Sequence, residues 1–141
     1  MGSELKIKMY SITLDCLNPH ELAAFYERLL KWEIAFFDEE YACLGAPGME
    51  QGAYPGMTFQ RNPEYVPPVW PQRLEEQQQM VHLDLAVNDL EKAVSYAREC
   101  GATLATEQFS DDWRVMFDPA GHPFCLCKMK ALMESTHFAL L

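Results

Sequence analysis

The chain has 141 residues, of which 49% are hydrophobic, and its formal net charge at pH 7 is −10. This length suits one domain with a hydrophobic core, and the excess of acidic residues argues against binding to nucleic-acid phosphates. No apolar run approaches the roughly 20 residues of a membrane span, and the first residues lack the apolar segment of a signal peptide. Five cysteines, an odd number without disulfide-scaffold spacing, favour a reduced, cytoplasmic setting.

The first half of the chain predicts a strand, a helix and three more strands. Residues 6–16 form the first strand, and Asn18 followed by Pro19 is typical of a helix start. The helix then carries an apolar stripe at spacings of three and four, formed by Leu22, Phe25, Tyr26 and Leu29. We expect Phe25 and Tyr26 to lie in the core. The remaining predicted elements are a hairpin of residues 32–37 and 41–45, a loop over 46–56, and a fourth strand over 57–61.

The second half repeats this order. Residues 82–87 alternate, with Leu83 and Leu85 on one face and His82 and Asp84 on the other. Asn88 or Asp89 can cap the next helix, and Gly101 can end it in a left-handed turn. Further strands are predicted over 103–107, 113–117 and 124–129, with a turn over 118–121.

The two halves can be aligned residue by residue. When Ser11 is placed on His82, Ile12, Leu14 and Cys16 fall on Leu83, Leu85 and Val87. Two long copies of one unit suggest a pseudo-twofold domain whose ligand lies between them. Residues 63–79, rich in proline and polar side chains, form the connector. The tail, residues 130–141, has apolar residues at helical spacing and predicts a short helix packed on its own domain or on a partner.

Four motifs in this order carry a family resemblance: LDC-x-NP-x-ELAAFYERLL, FQRNPEYVPPVWP, HLDLAVNDLEKAV and DPAGHPFCLC. With them the chain resembles the glyoxalase / bleomycin-resistance / extradiol-dioxygenase superfamily, also called the vicinal oxygen chelate fold. The resemblance implies a single α+β domain of two βαβββ modules, about 6–62 and 80–129, with pseudo-twofold symmetry. It also implies that their curled mixed sheets enclose a shared cavity. Lys31 stands where relatives tend to have a glycine after the first helix.

The resemblance further implies four metal-ligand positions, which in this chain are Ser11, Thr58, His82 and Cys125. His82 is an ordinary ligand and Cys125 can bind a soft metal as thiolate, but hydroxyl side chains are poor ligands for a divalent cation. We therefore expect no tightly bound divalent metal and no other cofactor. If a metal is present, its ligands are His82 and Cys125.

Other side chains on the same strand faces can bind a ligand instead. Asp84 shares a face with His82, and this pair is the candidate for acid–base catalysis. Residues two apart on a strand are about 6.5–7 Å apart along the backbone, which leaves room for a ligand or water between them. The alternative is that Asp84 only braces His82 or the backbone. The polar positions expected to line the cavity from the first module are Ser11, Thr13, Asp15, Thr58 and Gln60. Cys125 and Cys127 share one face and are more typical of small core residues than of a redox pair.

Aromatic side chains near the predicted loops indicate the kind of ligand. Trp70 and Trp113 suit an aromatic or otherwise apolar small molecule. Alternatively, Trp70, which lies in the proline-rich connector, anchors that segment to the sheet.

The sequence thus favours a metal-free small-molecule-binding protein, expected to form a homodimer. The alternatives are a lyase, isomerase or dioxygenase-type enzyme, with an altered metal site or the His82/Asp84 pair, and a scaffold whose cavity its own side chains fill.

Overall fold

The computed structural model describes residues 4–48 and 55–130. The chain divides into two compact units, Met1–Tyr65 and Val66–Leu141, and the division falls inside the predicted connector. Unit 1 contains β1 (Ser11–Cys16), α1 (Pro19–Leu30), β2 (Glu33–Phe37), β3 (Tyr41–Gly45) and β4 (Gly56–Arg61). Unit 2 contains β5 (Leu83–Val87), α2 (Leu90–Cys100), β6 (Thr103–Leu104), β7 (Trp113–Phe117) and β8 (Pro123–Lys128). The predicted α+β class with two βαβββ modules is confirmed.

Each unit has one mixed four-stranded sheet, and the strand order is the same in both. The order is β1-β4-β3-β2 in unit 1 and β5-β8-β7-β6 in unit 2. The first and last strands of each unit are parallel neighbours, and the other pairs are antiparallel. A parallel pair needs a long crossover between its strands, which the helix and the hairpin supply.

The core of unit 1 forms where α1 packs on the sheet. The Asn18 side chain accepts a hydrogen bond from the Glu21 backbone N–H at 3.1 Å, so the helix starts where the sequence predicts. Phe25 and Tyr26 are fully buried, as expected, and Tyr26 stacks on Phe59 of β4 with ring centroids 5.5 Å apart. The helix ends at Lys31, whose φ of 59° is left-handed.

Unit 2 has a core of the same design. The Asp89 side chain caps α2 by accepting from the Lys92 N–H at 3.1 Å, and Gly101 ends the helix with a φ of 124°. Phe124, Leu126 and Met116 are buried on the sheet face that α2 covers. Apolar residues at alternate strand positions therefore build both cores.

Two predicted strands are shorter than expected. The first begins at Ser11 rather than at residue 6, because Ser11 is paired with Gly56, the first residue of β4. The strand predicted over 103–107 ends at Leu104. Beyond it, the Gln108 amide donates to the carbonyls of Ala105 and Val115 and accepts from the Val115 N–H, so a side chain replaces the next strand partner.

The predicted C-terminal helix lies almost wholly outside the described residues, as does the middle of the 46–56 loop. Within residues 4–48 and 55–130, neither helix is long and apolar enough to cross a membrane.

Candidate functional site

The unit 2 sheet carries the main predicted residues on the face opposite Phe124 and Leu126. We call it the open face. Because directly paired residues on neighbouring strands point to the same side, rows of side chains can be read from the register. One row is Asp84, Cys125 and Val115, and the next is Ala86, Cys127 and Trp113. A third row begins with Phe117, which is paired with Pro123. His82 is the residue immediately before β5, at the same end of the sheet as this row.

His82 and Asp84 are in direct contact at one edge of the open face. The His82 Nε2 atom is 3.2 Å from an Asp84 carboxylate oxygen, and the two side chains are 41% and 61% exposed. The expectation of a gap between them was therefore wrong, because both side chains are long enough to come into contact. A carboxylate only accepts, so any hydrogen bond within this contact would be donated by the His82 ring.

Cys125 lies beside Asp84 on the neighbouring strand. Burial, followed by the charge of Asp84 and the nearby Cys127 thiol, raises the pKa of Cys125 from 9.0 to about 11. Burial and Asp84 also raise the pKa of Cys127. Both groups are therefore protonated thiols at neutral pH, and such thiols are weak nucleophiles. This protonation state argues against covalent catalysis by either cysteine.

His82, Asp84 and Cys125 form a compact cluster of metal-ligating groups. One potential ligand atom from each lies within 4.8 Å of the other two. The sequence pointed to His82 and Cys125 as the ligands of any metal, but it missed Asp84 in that role. The signal was present in the alternation that puts Asp84 on the same strand face, two residues from His82.

The four-residue set implied by the family does not fit a divalent cation. In unit 1, the Ser11 and Thr58 hydroxyl oxygens are 2.7 Å apart and hydrogen-bond to each other. The Thr58 hydroxyl also lies 3.8 Å from the Cys43 sulfur. Neutral hydroxyls that pair with each other offer little to a cation. Convergence of Ser11 and Thr58 with His82 and Cys125 stays a prediction.

The other predicted positions of unit 1 share one sheet face. Thr13 is paired with Thr58 and Asp15 with Gln60. Thr13, Asp15 and Gln60 are exposed. Asp15 is already engaged, because its carboxylate accepts a hydrogen bond from the Asn62 amide at 3.1 Å. This face therefore presents neutral hydroxyl and amide groups with one carboxylate.

Trp70 packs against aromatic residues of unit 2. Its ring centroid is 5.6 Å from that of Phe109 and 6.5 Å from that of Phe117, with edge-on geometry in both cases. This contact agrees with the interpretation of Trp70 as an anchor for the connector. It also brings Trp70 beside Phe117 of the open face, while Trp113 is 41% exposed in the row that contains Cys127.

A second histidine–aspartate pair of unit 2 was not predicted. Asp118 is buried, and its carboxylate accepts from the backbone N–H groups of Ala120 and His122 and from the His122 ring at 2.8 Å. These bonds close the turn between β7 and β8. The composition of residues 118–121 predicted the turn, but not the role of the carboxylate.

Two surface hollows lie away from these residues. One, of about 390 Å³, is lined in unit 1 by Asn18, Glu40 and Arg61 among others. In it, Arg61 forms an ion pair with Glu40 at 3.6 Å. The other, of about 370 Å³, runs along α2 beside Tyr96. Neither hollow contains His82, Asp84 or Cys125.

Two βαβββ units, each with parallel first and last strands, define the class of protein that the four sequence motifs led us to expect. The model of the Glyoxalase-like domain family matches residues 11–127. The chain belongs to this family, and with it to the glyoxalase / bleomycin-resistance / dioxygenase superfamily.

Solved structures share the fold at low sequence identity. A glyoxalase/bleomycin resistance protein/dioxygenase family enzyme from Burkholderia phytofirmans is 13% identical, with a TM-score of 0.63 over 86% of this chain and 98% of its own. Glyoxalase I from Leishmania major, described as trypanothione-dependent, is 16% identical, with a TM-score of 0.60 over 96% of each chain. A fosfomycin resistance protein from Listeria monocytogenes is 12% identical, with a TM-score of 0.60 over 96% of this chain and 100% of its own. Comparison with curated proteins gave no match.

Proposed function

We propose that this protein binds a small apolar or aromatic molecule on the open face of unit 2. His82 and Asp84 hold a polar group of that molecule, and its apolar body lies toward Trp113 and Phe117. The single observation that carries the proposal is the direct, exposed contact between His82 and Asp84.

The contrast with Asp118 and His122 supports a binding role. The Asp118 side chain is fully buried and accepts several hydrogen bonds that hold a turn, as a structural pair should. The Asp84 side chain is 61% exposed and holds no turn. Exposed ion pairs stabilise a fold by about 0–1 kcal/mol, so folding alone gives little reason for the His82–Asp84 contact.

The width of the open face suits a flat ligand. Asp84 on β5 and Val115 on β7 belong to one row with Cys125 between them. Two strand spacings separate β5 from β7, which is about 10 Å. A molecule of one or two rings therefore spans the distance from the polar edge to β7, where the buried Val115 lies between Trp113 and Phe117 in the strand.

We also propose that binding does not use the four-residue metal set of the superfamily, because the Ser11 and Thr58 hydroxyls are engaged with each other. The activities named for the glyoxalase I and fosfomycin resistance structures are not transferred to this chain, since likeness at such identity concerns the fold.

A second candidate function is acid–base catalysis by a lyase or isomerase. The 3.2 Å contact favours it, because a carboxylate beside one ring nitrogen leaves the other nitrogen available to a substrate. In a neutral His82 ring with its proton on Nε2, the Nδ1 atom can remove a proton from a bound substrate, and the Asp84 carboxylate stabilises the resulting imidazolium.

A thermal-shift screen with planar aromatic compounds tests the proposed binding. Hits should raise the melting temperature of the wild type. His82→Ala should abolish that rise while changing the free energy of unfolding of the unliganded protein by less than about 1 kcal/mol.

His20→Ala is the matched control, because His20 is an exposed histidine of unit 1 packed against Phe37. It should retain the full ligand-induced shift. A His82→Ala protein that is strongly destabilised yet binds normally would assign His82 a structural role instead.

A further inference from the structure

We infer that His82, Asp84 and Cys125 form a binding site for one soft divalent cation, with Zn²⁺ the best match, built entirely within unit 2. The site differs from the family's four-residue set in two ways. It uses no residue of unit 1, and its third ligand, Asp84, is not one of the four inherited positions. It does not rest on the proposed function, because the ion alone is the probe.

The number of ligands is the first argument. The inherited positions offer only two usable ligands, His82 and Cys125, which are too few for a stable site. The observed cluster adds the Asp84 carboxylate. Three protein ligands with one position left open are the usual arrangement of a reactive zinc site.

The distances are the second argument. Zinc bonds of about 2.0–2.3 Å in a tetrahedron separate neighbouring ligand atoms by about 3.3–3.8 Å. The His82 nitrogen and the Asp84 oxygen are 3.2 Å apart, close to this spacing, and the sulfur of Cys125 completes a triangle with no side above 4.8 Å. Closing the triangle needs only small side-chain rotations, and the His82 and Asp84 side chains are exposed enough to make them.

The chemical types of the three ligands also favour zinc. A sulfur, an imidazole nitrogen and one carboxylate suit zinc and its soft neighbours, whereas Mg²⁺ and Ca²⁺ require mostly oxygen ligands. On binding, the Cys125 S–H bond breaks, its proton passes to solvent, and the sulfur forms the bond to the metal. His82 binds through Nε2 as a neutral imidazole whose single ring proton is on Nδ1. The thiolate and Asp84 then carry two negative charges that balance the ion, and no group is oxidised or reduced.

Titration with Co²⁺ tests the site, because a thiolate bound to Co²⁺ gives a charge-transfer absorption band. The protein should carry no His-tag and should be treated with chelator and kept reduced. We expect one Co²⁺ per chain with the thiolate band, and displacement of that Co²⁺ by Zn²⁺. Cys125→Ser should remove the band, and Asp84→Asn and His82→Ala should each weaken Co²⁺ binding at least about tenfold.

Cys43→Ser is the matched control, since Cys43 is a partly buried strand thiol of unit 1 beside Thr58. It should leave both the band and the affinity unchanged. Thermal melts of each variant without metal establish that it is folded. Wild-type protein that binds no stoichiometric Co²⁺ would overturn the inference, and so would a band that survives in Cys125→Ser or disappears in Cys43→Ser.

Discussion

The two units share one topology and differ in the chemistry of a single sheet face. In unit 1 this face presents a hydroxyl pair, Ser11 and Thr58, 2.7 Å apart. The equivalent strands of unit 2 present an imidazole, a carboxylate and a thiol, from His82, Asp84 and Cys125. The buried residues of the opposite faces, which pack on α1 and α2, are apolar in both units. Packing therefore fixes one face of each sheet and leaves the other free to carry different chemistry.

The two helices end with the same sign of φ but on different types of residue. α1 ends at Lys31 and α2 at Gly101, and both residues have positive φ. A left-handed conformation is accessible to glycine without cost but strains a residue with a side chain. The shared topology thus demands the turn even where the sequence of unit 1 does not favour it.

The largest difference in the free energy of unfolding should come from substituting neighbouring residues of β8 that lie on opposite faces of the sheet. Phe124→Ala removes a fully buried ring from the face toward α2 and should lower the free energy of unfolding by about 3–5 kcal/mol. Cys125→Ala, at the next residue but on the open face, should cost less than about 1 kcal/mol. Urea unfolding of both variants measures the difference. Equal losses would contradict the assignment of one packed and one open face.

Substitutions at the helix ends should have an intermediate effect on the free energy of unfolding, lowering it in unit 2 and raising it in unit 1. Gly101→Ala forces a side chain into a φ of 124° and should cost about 1–2 kcal/mol. Lys31→Gly relieves strain and should stabilise the protein by about 0.5–1 kcal/mol, because relief of strain exceeds the extra entropy of the unfolded chain. Thermal and urea melts give both values. A destabilising Lys31→Gly would show that the Lys31 side chain makes contacts worth more than the strain.

The smallest effect concerns the reactivity of Cys125. Asp84→Asn removes the charge that, after burial, contributes most to the raised pKa of Cys125. The pKa should fall from about 11 toward 9.0 without reaching it, since burial persists. At about pH 9 a larger fraction of Cys125 is then in the thiolate form, and iodoacetamide should modify Cys125 a few times faster than in the wild type.

Mass spectrometry of the modified peptides measures this rate at each cysteine separately. Cys43, in unit 1, serves as the internal control and should react at an unchanged rate. Slower or unchanged modification of Cys125 in Asp84→Asn would contradict the electrostatic contact between the two side chains.

Most of the fold could be predicted from the sequence because local and periodic signals agree. Alternating residues indicated the strands, Asn18 and the Asn88–Asp89 pair indicated the helix starts, and Gly101 indicated a helix end. Of the pair, Asp89 is the residue that caps α2. The early end of β6 could not be predicted. It depends on the Gln108 side chain, which bonds to the backbone of Val115 seven residues away, and no local pattern encodes such a contact.

The site could be predicted only as a set of residues on one face. Alternation placed His82 and Asp84 together, but the strand spacing suggested a gap where the structure has a 3.2 Å contact. Backbone spacing fixes the distance between the Cβ atoms of two residues but not the distance between the ends of their side chains. That second distance depends on the rotamers, which neighbours such as Cys125 influence. The buried pair of Asp118 and His122 was missed for a similar reason, since its role depends on a carboxylate folding back onto its own turn.

Binding of a small molecule on the open face of unit 2 is tested most directly by amide chemical-shift mapping. The ¹⁵N-labelled protein is titrated with the strongest planar aromatic hit from the thermal screen. Binding on the open face should give saturable shifts concentrated at residues 82–86, 113–117 and 124–127. Shifts confined to the hollow beside Asn18 and Arg61, or to α2 around Tyr96, would contradict it.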